Sequence, residues 1–365
     1  MEFSFNGLFK NLKSLVNAKR SFLGVDIGSS TVKIVQIRKE EERAILETYG
    51  EIALGPYGNM KIGQSVKLPV DTMAQVIKDV MKEANAKANA ARVSIPLKSS
   101  FVKMINLPIN QEKNIADIVT LEARRHIPVP ISEVTLDWWV LPTPEKEDKK
   151  KQEKASVEVL LVAIHNDVIA EYKNIMATAG LSASGFEIET FSLIRSGIGR
   201  GSQTIAILDI GATTSKMIIV DFGVLKSSIL ISKGSQDLTM ALSQSLGVDF
   251  SKAEEVKREI GLSDLPEHQE ISSVIEPVLD YIFHEAAIFL RDFQNKYGRT
   301  AGKLIISGGG SLLNGLSAYA VKKLTIEVER SDPFSKTEHP AFLSGVLKGV
   351  GTNFSVATGL ALGEM

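Results

Sequence analysis

The feature that most constrains this chain is an eight-residue pattern that occurs twice. Asp26-Ile27-Gly28-Ser29-Ser30-Thr31-Val32-Lys33 and Asp209-Ile210-Gly211-Ala212-Thr213-Thr214-Ser215-Lys216 agree at Asp, Ile, Gly, Thr and Lys. The copies lie 183 residues apart, half of a 365-residue chain. That spacing is too long for a solenoid and predicts two related domains.

Each copy reads as strand, glycine turn, strand: 22–27 then 32–37, and 204–210 then 217–220. Such a hairpin exposes successive backbone N–H groups at its tip, which form an anion-binding nest. Glycine at the tip permits φ > 0 and close approach of a phosphate to the main chain. The hydroxyls of Ser29, Ser30, Thr31, Thr213 and Thr214 add donors, and Lys33 or Lys216 adds a point charge. Asp26 and Asp209, just before the turns, are expected to face each other across a cleft and to hold Mg2+ through its waters. One hairpin alone reads as an ordinary tight turn; two copies and a third element reverse that weight. Ser307-Gly308-Gly309-Gly310-Ser311 follows a strand at 303–307 and precedes a helix. Gly308, Gly309 and Gly310 let a flat adenine or ribose lie against bare backbone, and the helix N-terminus favours negative charge.

The remaining chain organises around these elements. A helix with Val76, Ile77, Val80 and Met81 follows Asp71, read as its N-cap, and a strand spans 92–96. Residues 97–181 make their own αβ pattern: strand 101–107, helix 114–126, strand 134–141, a charged run at 145–154, strand 157–164 and a helix ending near Gly180. Trp138 and Trp139 are adjacent on a strand, so one faces inward and the other outward. Helices fill 236–298, and Pro277 is expected in the first turn of the longest one. The expected domains are 21–96 with 182–203 and 346–365, an insert at 97–181, and 204–345 with a helical subdomain at 236–299. Residues 1–20 form a separate amphipathic segment. Within it Phe5, Leu8, Phe9, Leu12, Leu15 and Val16 share one helical face flanked by Lys10, Lys13, Lys19 and Arg20, suited to an anionic lipid surface or a partner groove.

Composition removes several function classes. With 42 Lys+Arg against 43 Asp+Glu, the net charge of −1 supplies no bulk attraction to nucleic acid. The absence of cysteine excludes thiolate nucleophiles, disulfides and Cys-containing zinc sites. The five histidines show no pair at helical metal-ligand spacing. No apolar run approaches the roughly 18 residues needed to cross a bilayer, so the bulk of the chain is expected outside it.

Hairpin, hairpin and glycine triplet together resemble the actin/Hsp70/sugar-kinase superfamily: phosphate-1 hairpin, phosphate-2 hairpin and adenosine turn. The resemblance covers nearly the whole chain. It implies an α/β, actin/Hsp70-like (ribonuclease H-like) two-domain fold with ATP and Mg2+ as ligands. Ser251-Lys252-Ala253-Glu254-Glu255-Val256-Lys257 looks like the Glu-x-x-Lys helix that touches ribose and base there, through Glu254 and Lys257. Ser251 and Glu254 equally fit a capping box. Glu189 stands where some relatives carry a glutamate that orients the attacking water, so Glu189 and Asp209 are the catalytic candidates.

The insert is similar to the extra subdomain of the FtsA and PilM families. Leu121-Glu122-Ala123-Arg124-Arg125-His126-Ile127-Pro128, Val134-Thr135-Leu136-Asp137-Trp138, Ser21-Phe22-Leu23-Gly24-Val25-Asp26-Ile27-Gly28 and Val356-Ala357-Thr358-Gly359-Leu360-Ala361-Leu362 resemble the PilM type IV pilus assembly family. That resemblance implies an ATP-binding adaptor at the cytoplasmic face of the inner membrane. It would capture the N-terminal cytoplasmic peptide of a PilN-like membrane protein between first domain and insert. It would also connect the pilus platform proteins to the assembly and retraction ATPases, with slow or no ATP turnover. An FtsA-type reading implies instead self-association into membrane-tethered filaments. A small-molecule kinase would need a carboxylate base beside an acceptor pocket, and no residue is placed for that role.

Overall fold

The computed structural model describes residues 20–108, 115–141, 156–199, 201 and 203–363. The amphipathic segment at 3–17 and the charged run at 145–154 lie outside them. The described residues open with β1 (Ser21–Ile27), β2 (Thr31–Glu40), β3 (Arg43–Ala53), α1 (Val70–Glu83) and β4 (Ala90–Ile95). Between β4 and the next strand of its sheet lie β5 (Ser100–Pro108), α2 (Ile115–His126), β6 (Val134–Val140), β7 (Ser156–His165) and α3 (Asn166–Thr178). Next come β8 (Ser182–Ile188) and α4 (Glu189–Gly197), then β9 (Ile205–Ile210), β10 (Ser215–Asp221) and β11 (Val224–Ile231). The rest is α5 (Ser235–Leu246), α6 (Phe250–Glu259), α7 (Gln269–Tyr297), β12 (Lys303–Ser307), α8 (Leu316–Leu324), β13 (Glu327–Arg330), α9 (Ser344–Val350) and α10 (Ser355–Leu362).

The repeat extends from motif to topology. One sheet runs β3-β2-β1-β4-β8 and the other β11-β10-β9-β12-β13, each with an antiparallel hairpin half and a parallel half. Alternation along the strands assigns the faces. In β1, Leu23, Val25 and Ile27 pack with α1 and with Ile175 and Met176 of α3. In β9, Ala206, Leu208 and Ile210 join the core beneath α5, α7 and α8. Ile207 points the other way, into a cluster with Ile218, Val220, Leu193, Val356, Leu360 and the insert residues Leu160, Val162 and Ile164. That shared apolar cluster joins the two halves and the insert.

The insert is an antiparallel sheet, β5-β7-β6, packed by Val119 and Ala123 of α2. Trp138 packs in this core, and Trp139 is exposed with its ring 5.7 Å from Phe191 of α4. The last described helix returns to the first sheet. Phe334 is fully buried with Val35 and Ile37, and α10 lies against β1, β2 and α4. No described helix is long and apolar enough to cross a membrane.

Two expectations about helix ends are corrected. Pro69, not Asp71, is the N-cap of α1: its carbonyl accepts from Met73 N–H at 2.9 Å, and Asp71 sits in the first turn. There its charge complements the helix dipole without capping. Pro277 lies well inside α7 rather than in its first turn. Ile275, Leu279, Ile282, Phe283, Ala286, Phe289 and Phe293 form one buried face through it. Their continuous burial outweighs the roughly 3 kcal/mol that an interior proline costs. Strands β3, β8, β11 and β13 were not anticipated; β8 (Ser-Ala-Ser-Gly-Phe-Glu-Ile) has no sustained apolar alternation and is held by parallel pairing to β4.

Candidate functional site

The β1–β2 and β9–β10 turns meet between the two halves, where Thr213 Oγ1 donates to Ser29 Oγ at 3.2 Å. Both turns close alike: Gly28 N–H donates to Thr31 O at 2.9 Å and Gly211 N–H to Thr214 O at 3.0 Å. Neither glycine adopts the left-handed φ that the sequence suggested. Glycine is required for room instead, because a Cβ at either position would lie 2.9 Å from the carbonyl of Thr31 or Thr214.

The glycine triplet reaches the same place by packing on the end of β9. Gly308 has φ of 79°, and a Cβ there would lie 2.6 Å from Ile210 O and 2.7 Å from Asp209 Oδ1. A Cβ at Gly310 would lie 2.3 Å from Ile210 Cγ2. Gly309 faces Asn353 Oδ1. The chain then makes a short 3-10 turn, Gly309–Leu312, and the α-helix begins only at Leu316. Direct contact with β9 sets the triplet's geometry before any helix starts.

These elements enclose a cleft of about 910 Å³. Asp26, Gly28, Ser29, Ser30, Thr31, Lys33, Glu189, Asp209, Gly211, Ala212, Thr213, Thr214, Lys216, Glu254, Lys257, Gly308, Gly309 and Gly310 all line it. So do residues that sequence reasoning missed. Val168, Glu171, Tyr172 and Ile175 of α3 line one wall at helical spacing, and Thr352 and Asn353 line another. Burial, reinforced by Asp26, Glu189 and Glu171, pushes the Tyr172 phenol up, so it stays a neutral donor. The i, i+3, i+4, i+7 face of α3 was legible as apolar-plus-polar, but nothing local says that it fronts a cleft.

The two aspartates have different surroundings. Asp26 is buried and its Oδ1 accepts from Ser94 Oγ at 2.8 Å. Asp209 Oδ2 accepts from Lys216 Nζ at 2.7 Å, and the same ammonium donates to Glu189 Oε2 at 2.7 Å. Glu189 Oε1 accepts from Leu97 N–H at 2.7 Å. Burial alone would push Lys216 down, but Asp209 and Glu189 together hold it far above the usual lysine range. Burial is also the largest influence on Glu189, and it pushes that carboxyl up against the pull of Lys216. Lys33 instead donates to Thr31 Oγ1 at 2.7 Å.

A nucleotide with Mg2+ fits this donor set. Two hairpin turns and a row of hydroxyls suit phosphates, and Thr352 Oγ1 and Asn353 Oδ1 are buried without a hydrogen-bond partner. Among the described residues no three His, Asp or Glu side chains cluster as a metal cage. Mg2+ keeps most of its waters and needs only one or two carboxylates beside phosphate, which Asp26 and Asp209 can supply.

The Glu-x-x-Lys helix resolves the competing reading of Glu254. Asp249 caps α6 by accepting from Lys252 N–H at 2.8 Å, so Ser251 is not the cap and there is no Ser251–Glu254 capping box. Glu254 Oε2 accepts from Thr239 Oγ1 and Lys257 Nζ, both at 2.6 Å, and Oε1 from Arg258 Nε at 2.7 Å. Burial pushes this carboxyl up, but Lys257, Thr239 and Arg258 together hold it below its ordinary value of 4.5. A depressed carboxylate stabilises the fold above that value and loses the contribution as pH falls through its folded pKa. The urea midpoint of Glu254→Gln is therefore expected to sit a constant distance below wild type at neutral pH, the gap closing under acid. A gap independent of pH would refute this assignment. Across the cleft mouth Ser65 N–H donates to Gln236 Oε1 at 2.8 Å, tying the 60–66 loop to α5.

A family model described as type IV pilus assembly protein PilM matches residues 24–365, spanning both hairpins, the insert and the glycine triplet. The chain belongs to the PilM family. Its structure is similar to a PilM-PilN type IV pilus biogenesis complex, with 25% identity, a TM-score of 0.77, and coverage of 93% of this chain and 97% of that one. The cell division protein FtsA of Bacillus subtilis (strain 168) is a more distant relative, 19% identical over 376 residues, covering 91% of this chain and 83% of FtsA. MreB5 of Spiroplasma citri bound to ADP shares 13% identity at a TM-score of 0.55, covering 94% of this chain and 96% of that one. The PilM-family chain thus has an actin-like α/β fold, as the paired hairpins implied.

Proposed function

We propose that this PilM-family chain is an ATP-binding adaptor of the type IV pilus inner-membrane platform, seated at the cytoplasmic face. There it binds the N-terminal cytoplasmic peptide of a PilN-like protein. The observation that carries the nucleotide part is the convergence of both hairpins on one cleft, joined through Thr213 and Ser29. ATP with Mg2+ bridges the halves, with phosphates on the Gly28–Thr31 and Gly211–Thr214 turns and ribose or base near Glu254, Lys257 and the triplet. Binding that is exclusive to the folded state stabilises it by roughly 2.7 kcal/mol at a hundredfold excess over Kd. Turnover is slow or absent, since phosphoryl transfer also needs a positioned water and Glu189 is already engaged.

The similarity to a PilM-PilN complex supports a PilN-like partner; in this reading its N-terminal peptide occupies a groove between first domain and insert. Trp139 and Val140 are exposed on the insert edge there, and Trp139 meets Phe191 of the first domain. Platform proteins and the assembly and retraction ATPases are the further partners of this reading.

One preparation tests both parts. Wild type is expected to co-purify with ATP or ADP, and Asp26→Ala and Asp209→Ala to lose most of it. Trp139→Ala is expected to keep the nucleotide and bind a PilN-type N-terminal peptide at least about tenfold more weakly. Unchanged nucleotide content in both aspartate variants sinks the cleft assignment; unchanged peptide affinity sinks the groove.

A further inference from the structure

The two hairpins repeat a cross-strand pair as well as a turn. Asp26 faces Lys33 in the β1–β2 register and Asp209 faces Lys216 in the β9–β10 register. Identical backbone positions have different outcomes. Lys33 Nζ reaches Thr31 Oγ1 and sits 4.0 Å from Glu51, on the cleft wall. Lys216 Nζ is enclosed, 2.7 Å from both Asp209 and Glu189, and the three side chains are 9%, 6% and 10% exposed. The difference is Glu189, the first residue of α4, whose other oxygen is fixed by the Leu97 amide. Glu189 comes from the first half of the molecule, and Asp209 and Lys216 from the second.

We propose that Lys216 is a built-in cation: its ammonium fills the position where a divalent ion would otherwise bridge Asp209 and Glu189. Two buried carboxylates facing each other need a positive charge between them, and a metal or an ammonium can supply it. The lysine makes that bridge permanent and independent of metal supply, so it clamps the two halves at the base of the cleft. It also divides labour between the paired lysines. Lys33 remains the lysine placed to meet phosphate, while Lys216 holds Glu189 by one oxygen as the Leu97 amide holds the other. This second consequence rests on the nucleotide reading above; the cation role does not.

The test uses the full chain freed of nucleotide by dialysis against EDTA, so it reads out whether or not nucleotide co-purifies. Mn2+ is the probe, because it accepts carboxylate oxygen ligands. Wild type is expected to show no change in melting temperature on adding Mn2+. Lys216→Met is expected to melt lower in EDTA and to regain about 3–4 °C when Mn2+ exceeds its dissociation constant a hundredfold. Lys216→Met/Glu189→Gln removes one carboxylate and is expected to lose the Mn2+ response. A lysine that only filled space would leave every variant indifferent to Mn2+, and that result overturns the proposal. So does a Lys216→Met chain that stays unfolded with and without Mn2+, or a response equal in wild type.

Discussion

Gly24→Ala is expected to detach α10 from the first sheet and to destabilise that half by about 3–5 kcal/mol. The reason is backbone proximity. A Cβ at Gly24 would lie 2.0 Å from Ala357 O and 2.9 Å from Ala361 N. Neither atom is the end of a flexible side chain, so α10 itself must move. Leaving is costly, because Ala357 and Ala361 are fully buried and pack with Val35, Ile37 and Phe334. Gly359→Ala is expected to act alike from the opposite side of α10, its Cβ meeting Ser192 O at 2.0 Å. Gly199→Ala is the control: a Cβ there meets nothing within 4 Å, and no more than about 0.5 kcal/mol is expected. Hydrogen exchange over residues 355–362 with the urea midpoint reads all three. Protection of α10 in Gly24→Ala equal to wild type would show that the sheet yields instead and would defeat the prediction.

Gly308→Ala carries the second large effect, and it reaches the cleft directly. The residue has φ of 79° and ψ of 170°, a region essentially reserved for glycine, which costs another residue about 1–3 kcal/mol. The added methyl also meets Ile210 O at 2.6 Å and Asp209 Oδ1 at 2.7 Å. Relief requires the triplet to lift from β9 or Asp209 to swing away from Lys216, and either motion distorts the second hairpin. A loss of about 3 kcal/mol in stability is expected, with nucleotide retention falling at least tenfold, a factor that corresponds to about 1.4 kcal/mol. Equilibrium dialysis with labelled ATP on the folded variant is the measurement. Full retention would place the nucleotide away from the triplet.

Much of the site was legible because its signals are short and covalently contiguous. Asp, Gly, hydroxyls and Lys within eight residues define a hairpin tip whatever surrounds them, and two copies half a chain apart define two halves. The glycine triplet was legible for the same reason, although its packing on β9 was not. Gly308 and Gly310 also allow close packing on Ile210, a need for bare backbone beside the ligand contact expected of them. Strand β8 was not legible, since its order comes from a parallel neighbour rather than from its own Ser-Ala-Ser-Gly pattern. Pro277 misled because a local helix rule was outweighed by a buried face that runs past it.

The sequence by itself determined the paired hairpins, the glycine turn, the insert between them and hence the family. Each of these arises from backbone needs and periodicities that operate within a few residues. The tertiary structure alone decided which charge meets which. Lys33 and Lys216 are equivalent in sequence and in strand register, yet only one is locked between two carboxylates, because Glu189 approaches from another element. Asp249 displaced Ser251 as cap and left Glu254 to Lys257, Arg258 and Thr239. Lys257 and Arg258 are local partners of Glu254, but Thr239 reaches it, and Glu189 reaches Lys216, from other elements; such partners are chosen by distances of a few ångströms between separate segments, and no local pattern encodes them.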